Sequence, residues 1–236
     1  MNGLERDAVM VAMERVQIDR TQPIALQIYS ALRQRIVDNR LPPGVSLSET
    51  VLSTQLNVSR TPLRAALQQL ANEGLIQTWP QVGSVVAPLA AGRLEEAVLM
   101  RSALEEATAR RLAEKGIGAA AFDEMLNAQE RLAARDDYTG FFREDEAFHE
   151  RLAQLADLPN AWRIVHSIKG HVDRQRFRMM SAIPMRSMRA YEDHRKIVSR
   201  IVAGDGEGAA LAVRAHIHSV LELTPRTDEA GVADGL

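Results

Sequence analysis

Apolar stripes at helical spacing alternate with short breaks rich in glycine and proline, and this rhythm predicts a mainly helical chain in two parts. Ile24, Ile28, Leu32 and Ile36 recur on one face of a helix that Pro23 opens and that runs to about Asn39. Leu41-Pro-Pro-Gly44 stops the pattern. Ser48 is placed to cap a short helix over Glu49–Leu56, and Asn57-Val58 forms a tight corner after it. Leu63, Ala66, Leu67 and Leu70 make the next stripe, in a helix that Ser59 opens. The Ser59 hydroxyl is expected to accept from a free backbone N–H one turn on. Pro62 falls in the first turn, where its missing N–H costs nothing, and Gly74 ends the helix. Two short runs, 75–79 and 84–87, flank Pro80-Gln-Val-Gly83 and read as a β-hairpin. Three helices followed by a hairpin predict a winged helix-turn-helix over residues 23–88.

After a short linker near 88–92 every segment reads as helix. The expected spans are 93–116, 118–134, 137–156, 159–181, 186–203 and 206–223. Their breaks fall at Gly116/Gly118, Asp136, Pro159, Pro184 and residues 204–208. This predicts an all-α antiparallel helical bundle over residues 93–223. Residues 1–22 look helical but weakly specified, as an N-terminal arm. Residues 224–236 are polar and contain glycine, and are expected to form a disordered tail.

Composition narrows the function classes. The 236 residues are 46% apolar but only 4% aromatic, which suits a core built from leucine and alanine. There is no cysteine, so disulfides, thiolate catalysis and cysteine-based zinc fingers are excluded. A cytoplasmic location is expected, because the start MNGLERDAVM is no secretory signal and no run approaches ~18 uninterrupted apolar residues. The net charge of −2 argues by itself against a nucleic-acid partner. Its distribution changes that picture. Residues 1–88 hold eight arginines against seven acids, and from Thr50 to Asn72 there is no acid at all. That window carries Arg60 and Arg64, and a local acid-free surface matters more for phosphate contact than the global sum.

Arg60, Thr61 and Arg64 lie in the first turns of the Ser59 helix, on the side its apolar stripe leaves free. A helix inserted into a major groove reads bases and phosphates with such groups: arginine takes a guanine edge or a phosphate, serine and threonine take phosphates. Ser59, Arg60, Thr61 and Arg64 are therefore the candidate DNA contacts, with Gly83 at the hairpin tip letting the wing backbone approach the minor groove. The run from Ile28 to Val86, with LPPG, LSE, NVSRTPLRAAL, L-x-x-EGL and the G-S-V-V wing, resembles the DNA-binding domain of GntR-family transcription regulators. The resemblance implies DNA-contacting roles for the same five positions. It departs after Glu49, where the family often has a DNA-contacting arginine and this chain has Thr50.

All six histidines lie in the second half. Asp145 and His149 are i, i+4 on one helix and share a face. His194 and His216 each stand 11 residues from a turn centred near Asp205. In an antiparallel helical hairpin this puts them level, ~16 Å from the turn. One aspartate and three histidines suit a divalent transition ion such as zinc, with nickel and manganese as alternatives. His166 and His171 are left without a role. Residues 93–223 also resemble the FCD ligand-binding domain of the FadR subfamily, through Arg101–Glu105 (R-x-x-L-E), Asp145–His149 (D-x-x-F-H), Asp193-His194 and His216-Ile217. The resemblance implies that Asp145, His149, His194 and His216 bind a metal and that Arg101 reaches the carboxylate of an effector. The alternative for Arg101 is an i, i+4 ion pair with Glu105. Glu105, Glu106, Arg110 and Arg111 read as a surface charge ladder, Met179, Met180, Met185 and Met188 as core or lid packing, Trp79 as hairpin packing, and Trp162 as cavity wall or bundle filler.

The expected protein is a ligand-responsive DNA-binding regulator, a repressor in its simplest form, and not an enzyme. Its expected partners are double-stranded operator DNA, a small organic or sugar acid and a second copy of the chain, with no membrane. Two alternatives are a metal-dependent enzyme with an Asp/His₃ ion, and a regulator whose metal is purely structural.

Overall fold

A computed structural model describes residues 9–14, 16–79, 83–180 and 185–221. Among them the chain forms α1 (Ile24–Val37), β1 (Ser46–Leu47), α2 (Glu49–Leu56), α3 (Arg60–Asn72), β2 (Ile76–Trp79) and β3 (Gly83–Val86). There follow α4 (Ala91–Lys115), a 3-10 turn (Ala119–Ala121), α5 (Asp123–Ala133), α6 (Tyr138–Leu155), α7 (Pro159–Ile168), α8 (Gly170–Met180), α9 (Arg186–Val202) and α10 (Gly206–His218). The fold class is the expected one: mainly α, a winged helix-turn-helix followed by a helical bundle.

The first part packs one face of each helix onto a small sheet. Ile28, Leu32, Leu52, Leu63, Leu70 and Val86 meet in one buried cluster. Asn57 adopts φ 50 at the corner between α2 and α3, a conformation asparagine tolerates better than most residues. The sheet order is β1-β3-β2, antiparallel throughout, with Trp79 opposite Gly83 and Ser46 opposite Val85. The two-residue strand β1 was not expected, because its length leaves no alternation to detect. The hairpin tip, 80–82, lies outside the described residues.

The N-terminal segment differs from a loose arm. Val9, Ala12 and Met13 are buried in the same cluster, and Arg35 Nε donates to Ala12 O at 2.6 Å. Residues 1–8 and the tail 224–236 lie outside the described residues.

The second part is an antiparallel bundle around Leu112, Phe122, Phe148, Leu152, Ile197, Ile201 and Val213. The expected helix 159–181 is two helices, broken at Lys169-Gly170. At that point α8 approaches the first domain closely: a Cβ at Gly170 would stand 2.8 Å from Leu75 Cδ2, which glycine avoids. The expected helix 118–134 likewise opens with a separate 3-10 turn, and the last helix ends at His218. A smaller cluster, Val37 with Phe141, Phe142 and Tyr191, joins α1 to the bundle.

Leu70 is fully buried on the core face of α3. Leu70→Ala should cost about 3 kcal/mol, read as a lower urea midpoint at unchanged slope.

Candidate DNA interface and metal centre

The expected DNA contacts lie at the start of α3 and at the first residue of β3. Ser59, Arg60, Thr61, Arg64 and Gly83 are all exposed, as is Thr50. Ser59 holds the N-cap position of α3 in an extended conformation, but its side chain makes no capping bond, contrary to the expectation. Pro62, third in the helix, removes one of the N–H groups such a cap would serve. The hydroxyl is thereby left for an outside acceptor. Gly83 has φ 109, which only glycine adopts freely. Arg64 Nε donates to both oxygens of Glu49, at 3.0 and 2.9 Å. An exposed pair of this kind is worth under about 1 kcal/mol, so a phosphate can displace the carboxylate.

In the bundle the structure brings Asp145, His149, His194 and His216 together. All four are buried, and one ligand atom from each lies within 4.8 Å of the others. Asp145 and His149 come from one face of α6. His194 and His216 come from α9 and α10, an antiparallel hairpin whose turn is fixed by Asp205 accepting from Gly208 N. Their Nε2 atoms face each other at 3.3 Å. The His194 ring stacks on Phe148, with 4.2 Å between centroids.

The surrounding groups decide which nitrogens carry protons. Gln129 Nε2 donates to Glu144 O at 3.1 Å, which turns Gln129 Oε1 toward His194 Nδ1 at 2.7 Å. An amide oxygen only accepts, so Nδ1 of His194 carries the hydrogen and Nε2 presents a lone pair. Asp193 Oδ2 stands 3.7 Å from His216 Nδ1 and favours the same tautomer there. Burial, then the neighbouring imidazole, pushes His194 far below its usual pKa, and burial brings His216 down to about 4. Two neutral rings thus aim lone pairs at one point.

The donor set fits a divalent cation. Both nitrogens of His149 are buried without a hydrogen-bond partner, although Glu105 Oε2 lies 2.5 Å from Nδ1, off the hydrogen-bonding direction. Facing lone pairs and orphaned nitrogens are costly without a shared positive centre. Asp145 is held by Arg176 instead, with Nη1 2.6 Å from Oδ2 and Nη2 2.5 Å from Oδ1. Burial alone would raise the Asp145 pKa, but the Arg176 guanidinium holds it far below the carboxylate range.

Arg101 is buried, and its Nε donates to Glu105 Oε1 at 2.5 Å. It therefore makes the i, i+4 pair, one layer behind His149. The expected surface ladder is corrected: Glu105 and Glu106 are buried, Glu106 taking both arms of Arg214 at 2.7 Å, while Arg111 donates to Ala156 O. Trp162 lines a narrow cleft with Glu105 and His149. A second cleft, lined by Arg176, Arg186, Arg189 and Asp193, opens beside His216. Met179 and Met188 pack in the core, Met185 is exposed, and the Met180 side chain lies outside the described positions. Trp79 is 55% exposed, on the strand end paired with Gly83. Gln129 and Arg176 were missed in the sequence because no spacing rule ties α5 or α8 to the histidine helices.

The two domains are joined by buried charge. Arg33 of α1 donates to Asp173 of α8 at 3.0 Å and to Glu73, the last cap of α3, at 3.3 Å. Lys169 donates to the same Asp173 oxygen at 2.6 Å and pairs with Glu146, the neighbour of Asp145. Burial would raise the Asp173 pKa, but Lys169 and Arg33 bring it down to about 2.

Comparison with known proteins agrees with this architecture. Residues 24–86 match the family model "Bacterial regulatory proteins, gntR family", and residues 96–219 match "FCD domain". The chain belongs to the GntR family of transcription regulators, in its FadR-like, FCD-containing subfamily. It is 34% identical over 208 residues to the HTH-type transcriptional repressor RspR of Escherichia coli K12, covering 87% of this chain and 91% of that protein. It is 31% identical to a probable D-xylose utilization operon transcriptional repressor of Paenarthrobacter nicotinovorans, covering 87% and 90%. The solved structure of E. coli McbR/YncC superposes with a TM-score of 0.72 at 19% identity, over 84% of this chain and 95% of that one, a likeness of fold. The relatives are transcription regulators, not enzymes, and no described helix is long and apolar enough to cross a membrane.

A zinc titration should fill one site in the native chain. Gln129→Leu, which removes the acceptor behind His194, should weaken that site by about 10–100-fold. His194→Ala should leave the purified protein without stoichiometric metal, and unchanged metal content would reject the ligand set.

Proposed function

We propose that this regulator is a repressor whose helical domain binds a small organic or sugar acid beside a divalent metal, zinc foremost, with nickel or manganese as alternatives. Asp145, His149, His194 and His216 would hold the ion. The carrying observation is the convergence of four buried ligand atoms within 4.8 Å of one another, with the Nε2 atoms of His194 and His216 facing each other at 3.3 Å. When bound, the ion supplies a Lewis-acid position for an acid oxygen. The cleft of Arg176, Arg186 and Arg189 gives a carboxylate a cationic approach, and the Trp162 cleft gives the remainder of the ligand an apolar wall. Arg101 serves the effector only by sharing or leaving Glu105, so Arg176 is the nearer guanidinium. Repression is supported by the names of the two relatives above.

The site can reach the DNA-reading helix through α8. Arg176 and Asp173 are one turn apart on it, and Asp173 holds Arg33, which holds Glu73 at the end of α3. Any ligand that changes how Asp145 is shared with Arg176 bears on that turn. Coupling requires that the ligand bind the DNA-bound and free states with different affinity. Ser59, Arg60, Thr61, Arg64 and Gly83 would contact the operator. A homodimer reading a palindromic site is supported by exposed Leu99 of α4 and Leu211 of α10, 68% and 60% accessible.

Band shifts with DNA from the protein's own promoter region test this reading. Specific, salt-sensitive binding should change with organic or sugar acids, and metal removal by EDTA should abolish that response. Absence of specific binding at every condition would sink the regulator reading for that DNA. A response to acid that survives complete metal removal would assign the ion a structural role. Arg33→Met should retain metal but lose at least half of the acid response, with a thermal melt confirming the fold. A full response in that variant would exclude the Arg33 route.

A further inference from the structure

A groove of about 630 Å³ runs between the wing and the helical domain, away from the histidine cluster. Its walls include Gln68 of α3, Thr78 and Trp79 of β2, Arg93 of α4 and His171 of α8. No aspartate or glutamate lines it among the described residues. His171 is only 3% exposed; the backbone of Gly74 is its polar neighbour, and neither ring nitrogen makes a well-formed hydrogen bond. The imidazole and Arg93 converge on Gly74. A Cβ there would lie 3.5 Å from His171 Nε2 and would collide with Arg93 Nη1. Gly74 also has φ 70, and it is this backbone conformation that demands glycine there. Arg93 is exposed and has no acidic partner among the described residues. Behind them Arg174 spends Nη1 on Ala87 O at 2.9 Å, while its buried Nη2 is unpartnered. Trp79, 55% exposed, leaves its indole in water on the groove wall.

We propose that this groove is a second ligand site, built for a small aromatic acid whose carboxylate lies between Arg93 and His171 and whose ring lies on Trp79. The His171 N–H and the Arg93 guanidinium can both serve one acceptor in the groove, and a carboxylate offers several lone pairs in one plane. Burial, then Arg174 and Arg93, depresses the His171 pKa to about 4. The ring is therefore neutral at physiological pH and donates one N–H. A cationic ligand would meet Arg93 and no acid among the lining residues, so the groove favours an anion. The volume suits a small molecule, and an exposed indole face suits an aromatic ring. A ligand seated here touches α3, the wing, α4 and α8 together. It therefore ties the DNA-reading module to the helical domain, independently of the metal centre.

The test uses full-length Trp162→Phe protein, in which Trp79 is the sole tryptophan reporter. Benzoate, 4-hydroxybenzoate and neutral benzamide are titrated against Trp79 fluorescence, with and without EDTA. The expected result is a saturable change with the two acids that persists in EDTA. Benzamide, and benzoate on Arg93→Gln, should bind at least about tenfold more weakly, the worth of one charge-assisted hydrogen bond. Arg93 is exposed, so this variant should fold, as circular dichroism will check. The proposal is overturned if no acid gives a saturable change, if benzamide matches benzoate, or if Arg93→Gln binds as tightly as its parent. It is equally overturned if EDTA abolishes the signal, which would place the acid at the histidine cluster.

Discussion

A carboxylate with no water around it must be matched by cations, and Asp173 is such a carboxylate. It is fully buried in α8, and its partners come from both domains: Lys169 from the turn before it and Arg33 from the first helix of the DNA-binding module. Removing either partner would leave charge buried in a place that cannot hydrate it, a far larger penalty than the pair's net worth. The relative placement of the two domains is therefore tied to charge balance as well as to the apolar contact of Val37 with Phe141, Phe142 and Tyr191. Glu73, at the end of the DNA-reading helix, is part of the same balance.

The candidate metal centre obeys a related constraint. Burial disfavours the charged forms of His194 and His216, and Gln129 Oε1 orients the His194 ring from behind. Arg176 supplies positive charge to Asp145 from α8, one turn from Asp173. One helix thus carries a counter-charge for the candidate site and a counter-charge for the domain junction.

Much of the fold was legible along the chain. The stripe Leu63, Ala66, Leu67 and Leu70 marked the DNA-reading helix because its core face repeats at helical period. The breaks at Gly116, Asp136 and Pro159 marked the bundle. The break at Lys169-Gly170 was not legible because periodicity runs through it, and the close contact of Gly170 with Leu75 is visible only in the fold. The Ser59 side-chain cap failed for a local reason, and Glu105 and Glu106 were misread because an i, i+4 ladder looks the same on a surface and in a core.

The sequence alone determined that a helix with arginines in its first turns follows a tight corner, that a hairpin follows the helix, and that one aspartate and three histidines stand at spacings able to meet. Those features are local: they depend on periods, caps and distances from turns. The tertiary structure decided the rest. It brought Gln129 and Arg176 to the histidines from helices with no sequence relation to them, buried Glu105 behind His149, locked Arg101 to it, and set Arg33 against Asp173. These are pairings across more than one helix, fixed by which charges and polar groups must satisfy one another once water has been excluded.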